Sequence, residues 1–156
     1  MKATLLLGMD YGRVEMALSS EDELAILRLV NKYAHATSSR DLEGLCALFA
    51  EDGVWERIEG ASTGKYNEKV RVQGPAEFRQ FAIKSFEMAG ETPYQYVAVN
   101  PVIEGDGDTA EGQVTLVIYG VEPQGVSVIM IGNFMDRYRK TADGWKFAYR
   151  GMLPST

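Results

Sequence analysis

The sequence predicts an α+β fold, with helices first and an antiparallel strand meander afterwards. Up to Gly90, apolar residues recur at three- and four-residue spacing, which is the period of a helix with one buried face. After Gly90 they alternate with a period of two and are rich in Val, Ile, Tyr and Phe, which is typical of half-buried strands. Gly, Asp and Pro lie between these later segments, so consecutive strands are expected to pair as hairpins.

Three helices are predicted in the first part of the chain. The stretch 20–23 has the form of a capping box, and a first helix follows over about residues 21–37. A polar turn separates it from a short second helix over residues 42–49. Gly74-Pro75 opens the third helix, with proline at the first position, where a missing N–H costs nothing.

The strands are predicted from alternation and from the turn residues around them. A first strand is expected over Val54–Ile58, and the polar residues 59–69 are expected to form a mobile loop or a loose hairpin. Residues 1–18 have no clear period and are interpreted as an extension, either an extra strand or an arm, before one domain over residues 19–156. The four later strands are predicted over Tyr94–Glu104, Thr109–Tyr119, Val126–Tyr138 and Trp145–Met152.

Composition excludes several classes of protein. The net charge is -6 and the pI about 4.9, so a nucleic-acid partner, which requires a basic surface, is not expected. One cysteine cannot form an intrachain disulfide. The opening apolar run is too short for a signal-peptide core, and no apolar run approaches the roughly 20 residues of a membrane helix. These observations predict a soluble, cytoplasmic protein without a membrane partner.

Motifs for common cofactors are absent from the sequence. One histidine and one cysteine cannot build a zinc cluster, although a magnesium site made of carboxylates alone stays open. There is no G-x-G-x-x-G, no phosphate-binding G-x-x-x-x-G-K and no G-x-S-x-G elbow. We therefore expect no cofactor, and either cofactor-free chemistry or plain binding.

Three segments carry a resemblance to a known family: SSRDLEGLCALFAEDGVW from residue 38, NPVIEGDGDTAEG from residue 100, and IGNFMDRYRKTADGWKF from residue 131. Together with the helix before them, they resemble the SnoaL-like branch of the nuclear transport factor 2-like (NTF2-like) superfamily, over roughly residues 20–151. The resemblance implies a cone, in which a curved antiparallel sheet wraps three N-terminal helices and encloses an apolar pocket. It also implies a homodimer formed through the open face of the sheet.

Family members include isomerases, dehydratases, polyketide cyclases and epoxide hydrolases, and others only bind ligands or mediate assembly. The Asp–His dyad of the dehydratases falls on Ser38 and Tyr96, so both of its residues are replaced. The hydrogen-bonding tyrosine of the isomerases matches Tyr33, whereas their catalytic carboxylate falls near Arg57. Arg150 matches an arginine that faces the pocket in some lyases.

His35 is the candidate proton carrier. It lies three residues before Ser38 and so shares a helix face with it, and the resemblance points that face into the cone. A neutral imidazole is a natural general acid–base near pH 7. The alternative is a histidine that is packed and hydrogen-bonded at the helix end.

Aromatic residues form the rest of the predicted pocket. Tyr33 and Tyr96 are candidate donors to a substrate carbonyl, an arrangement for which ketosteroid isomerase is the reference example. Their alternative role is aromatic packing in the core or at its rim. Trp55 and Phe134 are expected to line the cavity and set its shape.

Three polar positions complete the predicted set. Arg150 is a candidate catalytic residue that binds a carboxylate or polarises a carbonyl, or it pairs with Asp136 or Glu56. Ser38 and Asn100 are candidate substrate-binding residues, although Asn100, like Asp136, can instead order the backbone.

The leading hypothesis is a cofactor-independent enzyme for a polyketide, terpenoid or steroid-like molecule that carries a carbonyl group. It would catalyse cyclisation, isomerisation or dehydration, with His35 moving the proton. Tyr33, with Tyr96 or Arg150, would stabilise the oxyanion. A non-catalytic binding or assembly module and an epoxide-opening hydrolase are the alternatives.

Overall fold

The computed structural model describes residues 17–61 and 67–154. Its helices and strands follow the predicted order, with helices mostly first and long strands afterwards. They are α1 (Ser20–Ser39), α2 (Leu42–Cys46), β1 (Phe49–Arg57), β2 (Val70–Gln73), α3 (Gly74–Ala89), β3 (Tyr94–Asp106), β4 (Thr109–Glu122), β5 (Gly125–Thr141) and β6 (Gly144–Leu153).

The described strands form one curved, open sheet in the order β2-β1-β6-β5-β4-β3. Strands β3 to β6 are the predicted antiparallel meander. Strand β1 joins β6 in parallel, and β2 is antiparallel to β1. Helix α1 packs on β3 and β6, and α3 packs on β1, so the helices cover one face of the sheet. Alternation along β4 and β5 places one set of side chains in this core and leaves the other set outside.

The start of helix α1 differs by one residue from the prediction. Ser19, and not Ser20, is the N-cap, because its hydroxyl accepts a hydrogen bond from the backbone N–H of Asp22 at 3.1 Å. The Asp22 carboxylate also accepts a hydrogen bond from Trp145 Nε1 at 2.8 Å and lies 2.8 Å from Lys140 Nζ. These contacts, the one to Lys140 above all, lower the pKa of Asp22 to about 2.

Strand β1 begins earlier than predicted, at Phe49, and β2 was not predicted at all. Gly53, directly before the predicted start of the strand, lies at a bulge inside β1 where the register to β6 shifts. A Cβ on Gly53 would lie 2.8 Å from the Ala50 carbonyl oxygen and 2.9 Å from that of Phe147. The glycine therefore allows the close backbone approach at this bulge, and it does not end the strand.

Two predicted segments fall partly outside the described residues, namely the extension over residues 1–18 and the loop over residues 59–69. Of the extension, Ala17 forms a bridge with Asp106 at the end of β3, and the N–H of Leu18 donates to the Gly105 carbonyl at 3.2 Å. Residues 1–16 and 62–66 lie outside the described part of the chain. No helix within the described part is long and apolar enough to cross a membrane.

Candidate functional site

A small cavity lies between α1, α3 and the covered face of the sheet. Its volume is about 60 Å³, which is room for a few water molecules. Drug-sized ligands occupy pockets of roughly 300–1,000 Å³, so this cavity is far smaller. The described residues that line it are Tyr33, Thr37, Leu45, Trp55, Arg57, Phe81, Ala82, Ser85, Phe86, Tyr96, Leu116, Ile118, Met130, Phe134 and Met152.

A hydrogen bond between two cavity-lining aromatic residues fixes the orientation of Tyr33. Trp55 Nε1 donates to the Tyr33 hydroxyl oxygen at 3.1 Å, and the two side chains are 4% and 6% exposed. A phenol O–H bond lies near the plane of its ring. Because the Trp55 N–H approaches the Tyr33 oxygen from one side, the hydroxyl hydrogen of Tyr33 points to the other side. None of the described residues accepts that hydrogen. Tyr33 is therefore an oriented donor at the cavity wall.

A fully buried ion pair lies against this tyrosine. The side chains of Arg150 and Asp136 are 1% and 0% exposed. Arg150 Nη2 donates to Asp136 Oδ2 at 3.1 Å, and Nε lies 3.1 Å from Oδ1. The Nε contact lacks the alignment of a hydrogen bond, and within the described residues Nη1 has no acceptor. Tyr138 donates its hydroxyl hydrogen to Asp136 Oδ2 at 2.8 Å.

Aromatic rings surround the guanidinium of Arg150. Its central carbon lies 4.2 Å from the ring centroid of Tyr33, 4.3 Å from that of Phe134 and 4.5 Å from that of Phe147. Such distances allow cation–π attraction. Tyr33 and Phe134 also line the cavity, whereas neither Arg150 nor Asp136 does. The ion pair thus acts on the cavity through the rings that cover it.

Burial dominates the protonation of these groups. It raises the pKa of the Tyr33 phenol, and the positive charge of Arg150 opposes that rise. Burial also raises the pKa of the Asp136 carboxyl, against the nearby Arg150 and the hydrogen bond from Tyr138. The pKa of Tyr138 rises for the same reason, with Asp136 adding to the effect. Tyr33 and Tyr138 are therefore neutral hydrogen-bond donors near pH 7.

Arg57 is a cavity residue that the sequence indicated only as the position of the isomerase carboxylate. Its Nε donates to the Glu68 carbonyl at 2.8 Å, and its guanidinium lies 5.8 Å from the Trp55 ring centroid. The signal that could have found it is the two-residue period of β1, which puts Trp55 and Arg57 on one face.

Two further hydroxyl groups of the cavity wall donate to the backbone of their own helices. Thr37 Oγ1 donates to the Tyr33 carbonyl at 2.7 Å, and Ser85 Oγ donates to the Phe81 carbonyl at 2.9 Å. Because each helps to satisfy a carbonyl one turn earlier, these hydroxyls orient helix residues first and are weaker candidates for ligand contact.

His35 does not reach the cavity, which corrects the predicted inward orientation. The helix turns about 100° per residue, so His35 lies about 200° around α1 from the cavity-facing Tyr33, whereas Thr37, one turn beyond Tyr33, faces inward. The side chain of His35 is exposed. The predicted shared face of His35 and Ser38 is therefore not the cavity face, and His35 cannot move a proton inside the cavity.

Ser38 and Asn100 are also placed differently from their predicted substrate-binding roles. The Ser38 hydroxyl donates to the Ala34 carbonyl at 2.8 Å and accepts the backbone N–H of Tyr96 at 2.9 Å. It ties the end of α1 to the edge strand β3. Asn100 is exposed, has a φ of 53° and lies where the register of β3 shifts, so it shapes the strand away from the cavity.

The remaining predicted site residues divide into two groups. Tyr33, Tyr96, Trp55 and Phe134 lie together on the cavity wall. Arg150 pairs with Asp136, which is one of its two suggested partners, and it does not contact the cavity. The other suggested partner, Glu56, accepts a hydrogen bond from Tyr149 at 2.9 Å on the outer face of the sheet.

The cavity wall is largely apolar, and the Tyr33 hydroxyl is an oriented hydrogen-bond donor on it. Its described lining residues include no Asp, Glu, His or Cys. Across the described residues, no cluster of three or more His, Cys, Asp or Glu side chains has the arrangement of a metal site. This arrangement can hold an apolar molecule and donate a hydrogen bond to an acceptor oxygen on it.

Residues 19–151 match the sequence model of the SnoaL-like domain. The chain belongs to the SnoaL-like family. The matched range contains both helices that flank the cavity, the whole sheet up to Gly151 and every cavity-lining residue except Met152. No curated protein matches the chain in sequence.

Solved structures, some of them described as NTF2-like proteins, share the fold. An NTF2-like protein with a cystatin-like fold from Novosphingobium aromaticivorans has a TM-score of 0.72 and 20% identity, covering 85% of this chain and 80% of its own. A candidate aromatic ring hydroxylase from the same organism has a TM-score of 0.71 and 27% identity, and the match covers 89% of this chain and 92% of the hydroxylase chain. A candidate dehydratase of the NTF2-like family from Streptomyces avermitilis has a TM-score of 0.67 and 18% identity, and the match covers 88% of this chain and 99% of the dehydratase chain.

Proposed function

We propose that this SnoaL-like protein binds a small, largely apolar molecule that carries an acceptor oxygen, and that Tyr33 donates a hydrogen bond to this oxygen. The observation that carries the proposal is the Tyr33 hydroxyl, which is oriented by Trp55 and has no acceptor among the described residues. A buried donor without an acceptor is costly, by about 1–3 kcal/mol, so a ligand that supplies an oxygen gains by satisfying it.

Binding is favoured over proton-transfer catalysis. An isomerase or dehydratase needs a base within reach of the substrate, and the described wall offers no carboxylate or imidazole. Epoxide opening needs a carboxylate that can reach the substrate, and Asp136 does not line the cavity. The donors present can polarise a carbonyl, but they cannot remove a proton from carbon.

The ligand we propose is smaller than a polyketide, a terpenoid or a steroid. A volume of about 60 Å³ holds a compound of a few heavy atoms, and a larger one requires the wall to move. On the α3 side of the wall, Phe81 and Phe86 are only half-buried, so these two side chains can move most easily to enlarge the cavity. Simple ketones of increasing size are therefore suitable probes.

The test is a titration with acetone, butanone and cyclohexanone, followed by NMR. We expect saturable binding that Tyr33→Phe weakens by roughly twofold to tenfold, the range for one neutral hydrogen bond. Tyr119→Phe is the matched control, because Tyr119 lies on the outer face of β4, away from the cavity. Equal affinities for the native protein and Tyr33→Phe, or no saturable binding of any ketone, would contradict the proposal.

We also propose that the protein forms a homodimer through the outer face of its sheet, as the resemblance implied. Val121, Val126, Val128 and Ile131 are 42–66% exposed on neighbouring strands of that face. An apolar cluster of this kind marks an association surface.

Size-exclusion chromatography with light scattering should give twice the chain mass for the native protein, and Ile131→Asp should give the monomer. Leu24→Asp, at an exposed site on α1, should stay dimeric. A monomeric native protein at micromolar concentration would refute the dimer.

A further inference from the structure

We propose that Arg150 is a positioning residue for the Tyr33 donor: the buried Arg150–Asp136 pair fixes the Tyr33 ring and polarises its hydroxyl toward the cavity. The inference rests on the proposed binding site, in which Tyr33 is the donor. It assigns a role to an ion pair that touches no ligand and that the binding proposal leaves without a task.

The first support is geometric. The central carbon of the guanidinium lies 4.2 Å from the Tyr33 ring centroid, and Nη2 of the same group donates to Asp136 Oδ2 at 3.1 Å. Asp136 in turn accepts a hydrogen bond from Tyr138, a residue of the same strand. The ring is therefore clamped between a fixed cation and the Trp55 hydrogen bond at its hydroxyl. A delocalised guanidinium can contact aromatic rings and pair with a carboxylate at the same time, whereas an ammonium group is a compact, strongly hydrated point charge.

The second support is electrostatic. A cation over an aromatic face withdraws electron density from the ring, which makes a phenol a stronger hydrogen-bond donor. The effect is large here because both groups are buried and water does not screen the charge. In line with this, Arg150 opposes the rise in the pKa of Tyr33 that burial causes.

The two tryptophans provide a direct readout. Trp55 donates its indole N–H to the Tyr33 oxygen, so its indole NMR signal reports the position and charge of that oxygen. Trp145 donates to Asp22 at the start of α1 and is the internal control. Because the chain has two tryptophans, a ¹H–¹⁵N spectrum of the ligand-free protein contains both signals and no other indole. Tyr33→Phe assigns the Trp55 signal.

The test compares two variants with a matched control. Arg150→Gln combined with Asp136→Asn removes both charges together, so no buried charge is left alone. Arg150→Lys keeps a positive charge and replaces the planar, delocalised guanidinium with a compact ammonium group. Arg137→Gln is the control, since Arg137 lies 5.2 Å from the Tyr149 ring centroid on the outer face.

We expect the Trp55 signal to move in both Arg150 variants and to stay in place in Arg137→Gln, with the Trp145 signal unchanged in all three. Cyclohexanone affinity should fall by roughly twofold to tenfold in the Arg150 variants, the range of one weakened hydrogen bond. An unmoved Trp55 signal in Arg150→Lys, or in a folded double variant, would overturn the inference. Failure of the native protein to bind any ketone would instead refute the binding proposal, because the indole comparison needs no ligand.

Discussion

The two faces of strands β5 and β6 carry the same residue types in opposite surroundings. On the covered face, Arg150 pairs with Asp136 and lies within 4.5 Å of aromatic ring centroids, and both side chains are almost wholly buried. On the outer face, Arg137 lies over Tyr149 and 3.9 Å from Glu111, with its side chain 68% exposed. Similar contacts therefore occur in two different environments, on the opposite faces of one sheet.

Solvent exposure, and not the type of contact, determines how strongly an ion pair constrains the structure of this protein. Exposed pairs contribute about 0–1 kcal/mol, because water screens them and side-chain freedom is lost. A buried pair also gains little net stability, but removing one partner leaves a charge without water or counterion. The Arg150–Asp136 pair therefore constrains the structure, whereas the Arg137–Glu111 pair contributes almost nothing to the free energy of unfolding. Substitutions inside and outside the core test this difference, beginning with the largest expected effect.

Arg150→Met should destabilise the protein by about 3–5 kcal/mol, because the Asp136 carboxylate stays buried without its partner. Arg137→Met should cost about 0–1 kcal/mol. Urea unfolding at pH 7 measures both values. A cost below about 1 kcal/mol for Arg150→Met would remove the contrast between the faces, whereas Arg150→Gln with Asp136→Asn should recover part of the loss.

Removal of a tyrosine hydroxyl should show the same contrast at smaller size. Tyr138→Phe deletes a buried hydrogen bond to the Asp136 carboxylate and should cost about 1–3 kcal/mol. Tyr149→Phe deletes a partly exposed bond to Glu56 and should cost about 0.5 kcal/mol. Parallel urea denaturation would check this, and equal costs would show that burial does not separate the two bonds.

Acid should act through a carboxylate outside the core. Lys140 and Trp145 hold the pKa of Asp22 at about 2, below its ordinary value of 3.8. A carboxyl whose pKa is lowered on folding adds stability above its unfolded pKa and loses it as the pH falls. The unfolding free energy should therefore drop between about pH 4 and pH 2, and by less in Asp22→Asn. Identical pH profiles of the two proteins would contradict the assignment.

His35→Ala should have the smallest effect. The side chain is exposed and lies on the side of α1 away from the cavity, so stability should change by less than about 0.5 kcal/mol and ketone affinity should not change. A calorimetric melt and a ketone titration would measure both. A large loss of binding would restore the imidazole to the site and refute the orientation described above.

Much of the fold could be predicted from the sequence because period and turn chemistry are local signals. The limits of α1, α3 and the four long strands follow from them within a few residues. Two features were not local. The parallel pairing of β1 with β6 joins segments about 90 residues apart, and the short β2 has too few residues for a period. The start of β1 was predicted too late, since a glycine at a bulge, such as Gly53, resembles a turn residue in the sequence.

The candidate site was predicted only in part. Aromatic residues such as Trp55 and Phe134 lie on the cavity wall, since large apolar side chains fill the interior wherever it is placed. His35 was misplaced because the resemblance indicated a helix face without fixing the rotation of the helix. The partner of Arg150 depended on which acid shared its side of the sheet, and this requires the register between β5 and β6.

Hydrogen bonding by Tyr33 is tested most sharply by the Trp55 indole signal of the native protein, followed while acetone is added. If the ketone oxygen accepts a hydrogen bond from Tyr33, the Trp55 signal shifts and saturates, because its acceptor is the same hydroxyl oxygen. The Trp145 signal, at the start of α1, stays in place. A Trp55 signal that does not move, or a shift of equal size in both tryptophans, would contradict the account.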